Sequence, residues 1–220
     1  MAISPDALKS IPYFTGLSDA ALAVVNSHVF EKKAVRGDII VFEGEPAEAL
    51  YFVVSGVVKV FKTSADGKEQ ILRIIRPGDS FNDVPVLGGA NLASAAAMSN
   101  VVLNGLKKKD LEAVSKEFPQ VALNIIKVLS LRVEEMIALV EDFSFRHVNG
   151  RVAKILLEYA GNGERPRLTQ QEMAAMIGTA REMVGRSFRN LETEGAIRIE
   201  RNRIIIADYA ALKKIAGITE

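Results

Sequence analysis

Two helix-start signatures stand ten residues apart in the C-terminal third of the chain, and together they dictate a pair of short helices joined by a tight turn. Thr169-Gln170-Gln171-Glu172 has the form of a capping box: the hydroxyl accepts from an early helical N–H, and the carboxylate accepts from the N–H of the capping residue. Thr179-Ala180-Arg181-Glu182 repeats that form, and Gly178 stands between them where a helix end wants a left-handed residue. Helices so related make a helix-turn-helix. At about 100° per residue, the second helix carries Val184, Phe188 and Leu191 on one side and Arg181, Glu182, Arg186 and Arg189 on the other. The first side suits a core and the second is free to read. A guanidinium fork matches two acceptors on a guanine edge, and a carboxylate accepts from the cytosine amino group, so the polar side suits the DNA major groove. Thr169 offers a hydroxyl and first-turn N–H groups to a phosphate. Residues 196–206 alternate and turn around Arg201-Asn202, as a basic wing would. The plainer alternative for the second helix is a solvated face with Glu182 and Arg186 as an i,i+4 ion pair.

Upstream the periodicity is different. Ile39–Phe42, Leu50–Val54, Val57–Phe61 and Gln70–Ile75 are short and rich in β-branched and aromatic residues. Turn chemistry separates them at Gly37-Asp38, Gly44-Glu45-Pro46, Ser55-Gly56, Asp66-Gly67 and Pro77-Gly78-Asp79. Many short strands so spaced predict a β-barrel or roll, with a further strand at Val101–Leu103. Ser18 caps a short helix ahead of them. A long helix follows from near Pro119, on which Ala122, Ile126, Leu129, Val133, Met136, Val140 and Phe143 step by alternating fours and threes. Such a heptad seam suits a second copy of the chain. The alternative is packing on the roll, for which Ile125, Ile137 and Leu139 offer another face. The expected organisation is α+β: an N-terminal jelly-roll domain of the double-stranded β-helix, cupin-like type over residues 1–118, a dimerisation helix and hinge over 119–146, and a winged helix-turn-helix over 147–220.

Composition narrows the function classes. The chain has no cysteine, which removes disulfides, thiol redox switching and thiolate-held metal clusters. Residues 147–220 carry 12 Lys and Arg against 9 Asp and Glu, while the rest carry 16 against 18. A mildly basic C-terminal part suits a polyanionic partner without proving one. There is no apolar leader behind a basic stretch and no uncharged apolar run of 18 residues, so a soluble cytoplasmic protein without a membrane partner is expected. No nucleophile–base set, phosphate-cradling glycine loop or metal-spaced cluster is apparent, so no enzyme and no metal site are expected.

The run Leu168–Arg186 closely resembles the helix-turn-helix of the Crp/Fnr family of transcription regulators. Gly44-Glu45-Pro46-Ala47, Ser55–Val60, Gly67-Lys68-Glu69 and Pro77-Gly78-Asp79 resemble its sensor roll in the same order, so the likeness covers roughly Phe14 to Ile206. The resemblance implies a homodimer that binds double-stranded DNA, with RNA polymerase as a candidate partner. DNA contacts fall to Thr169, Arg181, Glu182, Arg186, Arg189 and Arg201. Arg181, Glu182 and Arg186 look like the cyclic-AMP-receptor type of reader, which implies TGTGA-like half-sites. Ala180 departs from the serine that members often carry, and Thr179 is expected to cap in its place.

The sensor departs further. Members that bind cyclic nucleotides use Gly-Glu-Leu, then Arg-Ser, then Thr-Ser on the long helix; the matching positions here are Asn82-Asp83-Val84, Ala93-Ser94 and Met136-Ile137. A buried phosphate needs charge-assisted partners, so binding of cyclic AMP in the family's usual manner is not expected. A more apolar pocket is expected instead, drawn from Phe81, Asn82, Asp83, Val86, Leu87, Ala93, Ser94, Met136, Ile137 and Val140, with haem or another apolar effector as candidate occupant. His28 and His147 read as surface or capping residues before they read as iron ligands, and Met136 reads as seam packing. The competing function is a cyclic-nucleotide-binding regulatory protein that acts through protein partners.

Overall fold

The computed structural model describes residues 8–9, 11–159, 168–200 and 203–218. The chain forms two compact units, one of Met1–Lys62 with Leu72–Glu135 and the other of Thr63–Ile71 with Met136–Glu220. The division therefore falls within the long helix rather than at its ends.

In the first unit, α1 (Asp19–His28) is capped by Ser18, whose Oγ accepts from Ala21 N. Strands β1 (Val29–Ala34), β2 (Ile39–Val41), β3 (Ala49–Ser55), β4 (Val58–Thr63), β5 (Glu69–Ile75), β6 (Ser80–Phe81), β7 (Ser94–Ala97) and β8 (Val101–Lys107) form two four-stranded sheets. Their orders are β1-β8-β3-β6 and β2-β7-β4-β5, the layered arrangement expected of a jelly roll. The one-turn helix α2 (Pro85–Gly88) and the helix α3 (Lys108–Glu117) complete the roll.

Alternation along β3 explains why its sheet is buried on both faces. Tyr51 and Val53 join Ile75, Phe81, Ala95 and Leu103 in the roll interior, whereas Leu50 and Phe52 turn to a second core with Tyr13, Phe14, Leu22, Leu111, Val121 and Ile125. A strand hydrophobic at consecutive positions thus serves two layers. The long helix α4 (Pro119–Phe145) supplies Val121, Ile125 and Val128 to that second core. Ile137, offered above for the roll-facing side, is instead exposed. The stripe that does face the roll runs through Val121, Ile125, Val128 and Arg132, the same alternation of fours and threes displaced from the seam. The small-residue strand β7 (Ser94–Ala97) closes on β2 and β4, where its alanines fit.

The second unit holds α5 (Val148–Tyr159), α6 (Gln170–Ile177), α7 (Arg181–Thr193), the hairpin β9 (Ile197–Glu200) and β10 (Arg203–Ile206), and α8 (Tyr209–Ile215). The tip of the β4–β5 hairpin belongs with it: Gln70 Nε2 donates to Met176 O at 3.2 Å. Val152, Leu156, Met173, Val184, Phe188, Leu191 and Leu212 share its core. The capping box at α6 forms in full, with Glu172 N to Thr169 Oγ1 at 3.1 Å and Thr169 N to Glu172 Oε2 at 2.7 Å.

The second box does not form. The cap of α7 is Ala180, without a side-chain bond, and Thr179 N donates to Ala174 O at 3.0 Å as part of the turn. Gly178 explains the shift. Its φ of 65° and ψ of 43° close α6 so tightly that Thr179 is spent on the turn and the helix enters one residue later. A Cβ at Gly178 would also stand 2.9 Å from Phe143 Cε1. Gly178→Ala is accordingly expected to cost about 1–2 kcal/mol from the left-handed backbone alone, read as a lower midpoint in urea unfolding.

Candidate nucleic-acid interface and effector region

The wheel drawn from sequence matches the burial of α7. Val184, Ser187, Phe188 and Leu191 are buried, while Arg181, Glu182, Arg186 and Arg189 are exposed along its outer side. Glu182 and Arg186 form no ion pair, so the solvated-pair alternative lacks its bond. Among the described residues Arg181, Arg186 and Arg189 make no ion pair at all. That contrasts with Arg73, Arg132 and Arg146, each of which is held by carboxylates. Three uncommitted guanidinium groups on one exposed helix face make a site for an anionic, edge-patterned partner. Thr169 lies at the start of the neighbouring helix, exposed, with its hydroxyl also donating to Glu172 Oε2 at 2.8 Å. Arg201 lies outside the described residues; the flanking strands β9 and β10 pair in register from Ile197↔Ile206 to Glu200↔Arg203.

Where α4 gives way to α5, Asp142 accepts from Arg146 Nε at 2.6 Å and pairs with Lys154 Nζ. The Arg151 guanidinium lies over the Phe143 ring at 5.3 Å. The final turn of α4 is thus tied to α5 by charge and by a cation–π contact. Phe143, assigned to the seam from spacing, remains 39 % exposed despite these neighbours. His147 is exposed and caps α5 through its carbonyl, which accepts from Arg151 N at 3.1 Å. His28 pairs with Asp110 at 3.3 Å.

In the first unit, sequence reasoning missed the most polar feature of the interior. Arg132 reaches from α4 to Asp83 Oδ2 (Nε, 3.0 Å), Asp79 Oδ1 (Nη2, 2.7 Å) and Glu135 Oε1 (Nη1, 3.1 Å). Arg73 joins the cluster through Asp79 at 2.9 Å and Glu135 at 3.3 Å. Burial opposes charge on Arg132, but Asp79 and Asp83 more than offset it and hold the guanidinium above its ordinary range. Tyr13 shares a 3.0 Å hydrogen bond with Ser80 Oγ in the same cluster. Burial, then the charge of Asp83, push its phenol well above the usual tyrosine value. The signal for Arg132 was present in the sequence as an arginine on an otherwise apolar helical stripe.

Within the first unit, the residues assigned to an effector pocket are not gathered into one lining. Phe81 stacks on Tyr51 inside the roll, with centroids 5.2 Å apart and an interplanar angle of 16°. Val86 is buried in the other core and Leu87 is exposed. As consecutive residues of the helical turn Pro85–Gly88 they point about 100° apart. Asn82 takes a left-handed φ of 69° and donates to Ala49 O at 2.9 Å. Asp83 is buried against Arg132, and its Oδ1 has no hydrogen-bond partner. Ala93 is half-buried, and Ser94 Oγ accepts from Glu43 N at 3.0 Å. Met136, Ile137 and Val140 are exposed on the second unit. Arg73 and Arg132 are both committed to carboxylates.

Residues 31–118 match the family model of the cyclic nucleotide-binding domain, and residues 150–215 match that of the Crp-like helix-turn-helix domain. The chain belongs to the Crp/Fnr family of transcription regulators. It is 32% identical over 212 residues to the cyclic AMP receptor protein of Thermus thermophilus, covering 95% of this chain and 98% of that one. It is 30% identical over 213 residues to the CRP-like cAMP-activated global transcriptional regulator of Mycobacterium tuberculosis, covering 92% and 95%. Among solved structures, the catabolite activator protein of Thermus thermophilus aligns with a TM-score of 0.56 at 32% identity, over 94% of this chain and 100% of that one. A CRP/FNR-family transcriptional regulator, also from Thermus thermophilus, aligns at 0.72 and 25% identity, over 86% and 98%. This Crp/Fnr protein is a DNA-binding transcription regulator and not an enzyme. None of its described helices is long and apolar enough to cross a membrane.

Proposed function

We propose that this regulator acts as a homodimer on palindromic DNA with TGTGA-like half-sites, and that its activity is set by an effector other than cyclic AMP. The reading rests on the exposed, uncommitted row Arg181, Glu182 and Arg186 on α7. Arg189, Thr169 and the wing at Arg201 serve the sugar–phosphate backbone. The dimer seam runs along α4, where Ile126, Val133, Met136 and Val140 are each more than half exposed. So much apolar surface on one helix edge calls for a partner, and the heptad spacing makes a second α4 its natural complement. Ala122 and Leu129 are half-buried, and Phe143 ends the seam beside the hinge. A two-fold dimer places its recognition helices about 34 Å apart on the duplex.

Against cyclic AMP stands the composition of the expected phosphate site, where the fork-bearing residue is Ala93. An apolar effector or haem remains the candidate class. The effector alters the packing of α4 and so the setting of the DNA-binding domain about residues 143–147, a population shift between two arrangements of one dimer. RNA polymerase is the further partner this reading implies.

A fluorescent duplex carrying TGTGA-N6-TCACA, a scrambled duplex and cyclic AMP provide the test. Preferential binding of the palindrome, unchanged by the nucleotide, is the expected result. Equal binding of the two duplexes would overturn the half-site assignment, and palindrome binding that appears only with cyclic AMP would overturn the effector assignment. The same titration followed by sedimentation gives the stoichiometry, expected to be two chains per palindrome.

A further inference from the structure

Gly185 has no explanation among the described residues. It is the fifth of the 13 residues of α7, an interior position where glycine is about 1 kcal/mol less favourable than alanine. Its φ is not positive, unlike that of Gly178. A Cβ built there meets a single neighbour, Gln170 Oε1 at 3.6 Å, which is ordinary van der Waals contact. Neither backbone conformation nor packing therefore asks for glycine. What the missing side chain does is keep open a concavity lined by Gln170, Arg181, Glu182, Gly185 and Arg189.

The chemistry of that notch is specific. Arg181 and Arg189 lie one turn to either side of Gly185, so two unpaired guanidinium side chains bracket a stretch of bare helix backbone. Gln170 is the first residue of α6, where the helix dipole favours negative charge. Glu182 lines the concavity beside them, whereas Arg186, about 100° round the helix from Gly185, does not. A bare glycine offers no donor or acceptor with which to tell bases apart. Its use is close approach.

We propose that the notch seats a backbone phosphate of the bound DNA, and that Gly185 is a positioning residue whose missing side chain lets α7 sink to the depth at which its polar side reaches the bases. The inference rests on the DNA-reading role proposed for α7 and adds to it a residue that contacts no base. It implies a loss of affinity without a loss of selectivity when the notch is filled.

Gly185→Ala in the full chain tests this, with thermal melting and anisotropy titrations of the palindromic and scrambled duplexes at several salt concentrations. The expected variant melts at or above the wild-type temperature and binds both duplexes about tenfold or more weakly. Its slope of log K against log salt is shallower by about 0.9 for each phosphate lost. The palindrome-to-scrambled ratio is unchanged. Wild-type affinity in the variant overturns the proposal, as does a loss confined to the palindrome, which would put a base edge at Gly185. A lower melting temperature overturns its premise that the chain itself does not need glycine there. If the wild-type protein binds both duplexes equally, the half-site reading fails separately, and the notch is judged on the scrambled duplex alone.

Discussion

Arg181→Ala is expected to cost about 1–3 kcal/mol of base discrimination at each half-site, and therefore about twice that on a palindrome, since the two half-sites are distant enough to add. Arg181 is exposed at the start of α7 and pairs with no carboxylate among the described residues, so its removal leaves the fold intact. Stability should stay within about 0.5 kcal/mol of wild type, as for most surface substitutions. The check is a competition titration of palindrome against scrambled duplex, in which the ratio collapses while scrambled binding falls only by the share owed to one positive charge. An unchanged ratio would remove α7 as the reader and favour a regulator that works through protein partners.

Arg132→Met carries the largest expected effect on stability. The change leaves Asp83, whose side chain is 4% exposed, as a buried carboxylate without its cation. Removing one member of a buried pair costs about 3–5 kcal/mol. The lower part of that range is expected here, because Asp79 is 39% exposed and keeps Arg73 as a partner. Urea unfolding of the full chain reads the loss. Adding Asp83→Asn to Arg132→Met should recover much of it, since the uncompensated charge is then gone. A single variant as stable as wild type would show that the cluster does not hold the first half of α4 to the roll. A double variant no better than the single would place the loss in packing rather than charge.

The two substitutions probe opposite uses of the same side chain. Arg132 is fully committed to carboxylates, and Arg181 is committed to nothing among the described residues. That contrast is invisible in the residue type and follows from where each helix face points. The helix-turn-helix was legible because its signals are local: a capping box at Thr169, a left-handed glycine at Gly178 and an apolar stripe through Val184, Phe188 and Leu191 all act within a few residues. The strands were legible for the same reason, from alternation and turn chemistry. Where local signals are degenerate, the reading slipped. Thr179 and Thr169 begin the same four-residue pattern, yet only Thr169 caps a helix, because the turn at Gly178 takes Thr179 for itself. The small-residue run at 94–97 carries almost no strand signal and is a strand because β2 and β4 stand on either side of it.

From its own residues the sequence determined the classes of element, the helix-turn-helix and the polar side of its second helix, the heptad spacing along α4, and the absence of cysteine chemistry. Each of these is set by periodicity or by chemistry over a few turns of chain. Only the tertiary structure decided which carboxylates meet Arg132, that Phe81 and Val86 serve different cores, and that nothing among the described residues requires a glycine at 185. Those outcomes depend on residues from distant parts of the chain, Tyr13, Asp79, Asp83 and Arg132 among them. Local propensity does not encode such distances; they are set when sheets and helices close on a common core.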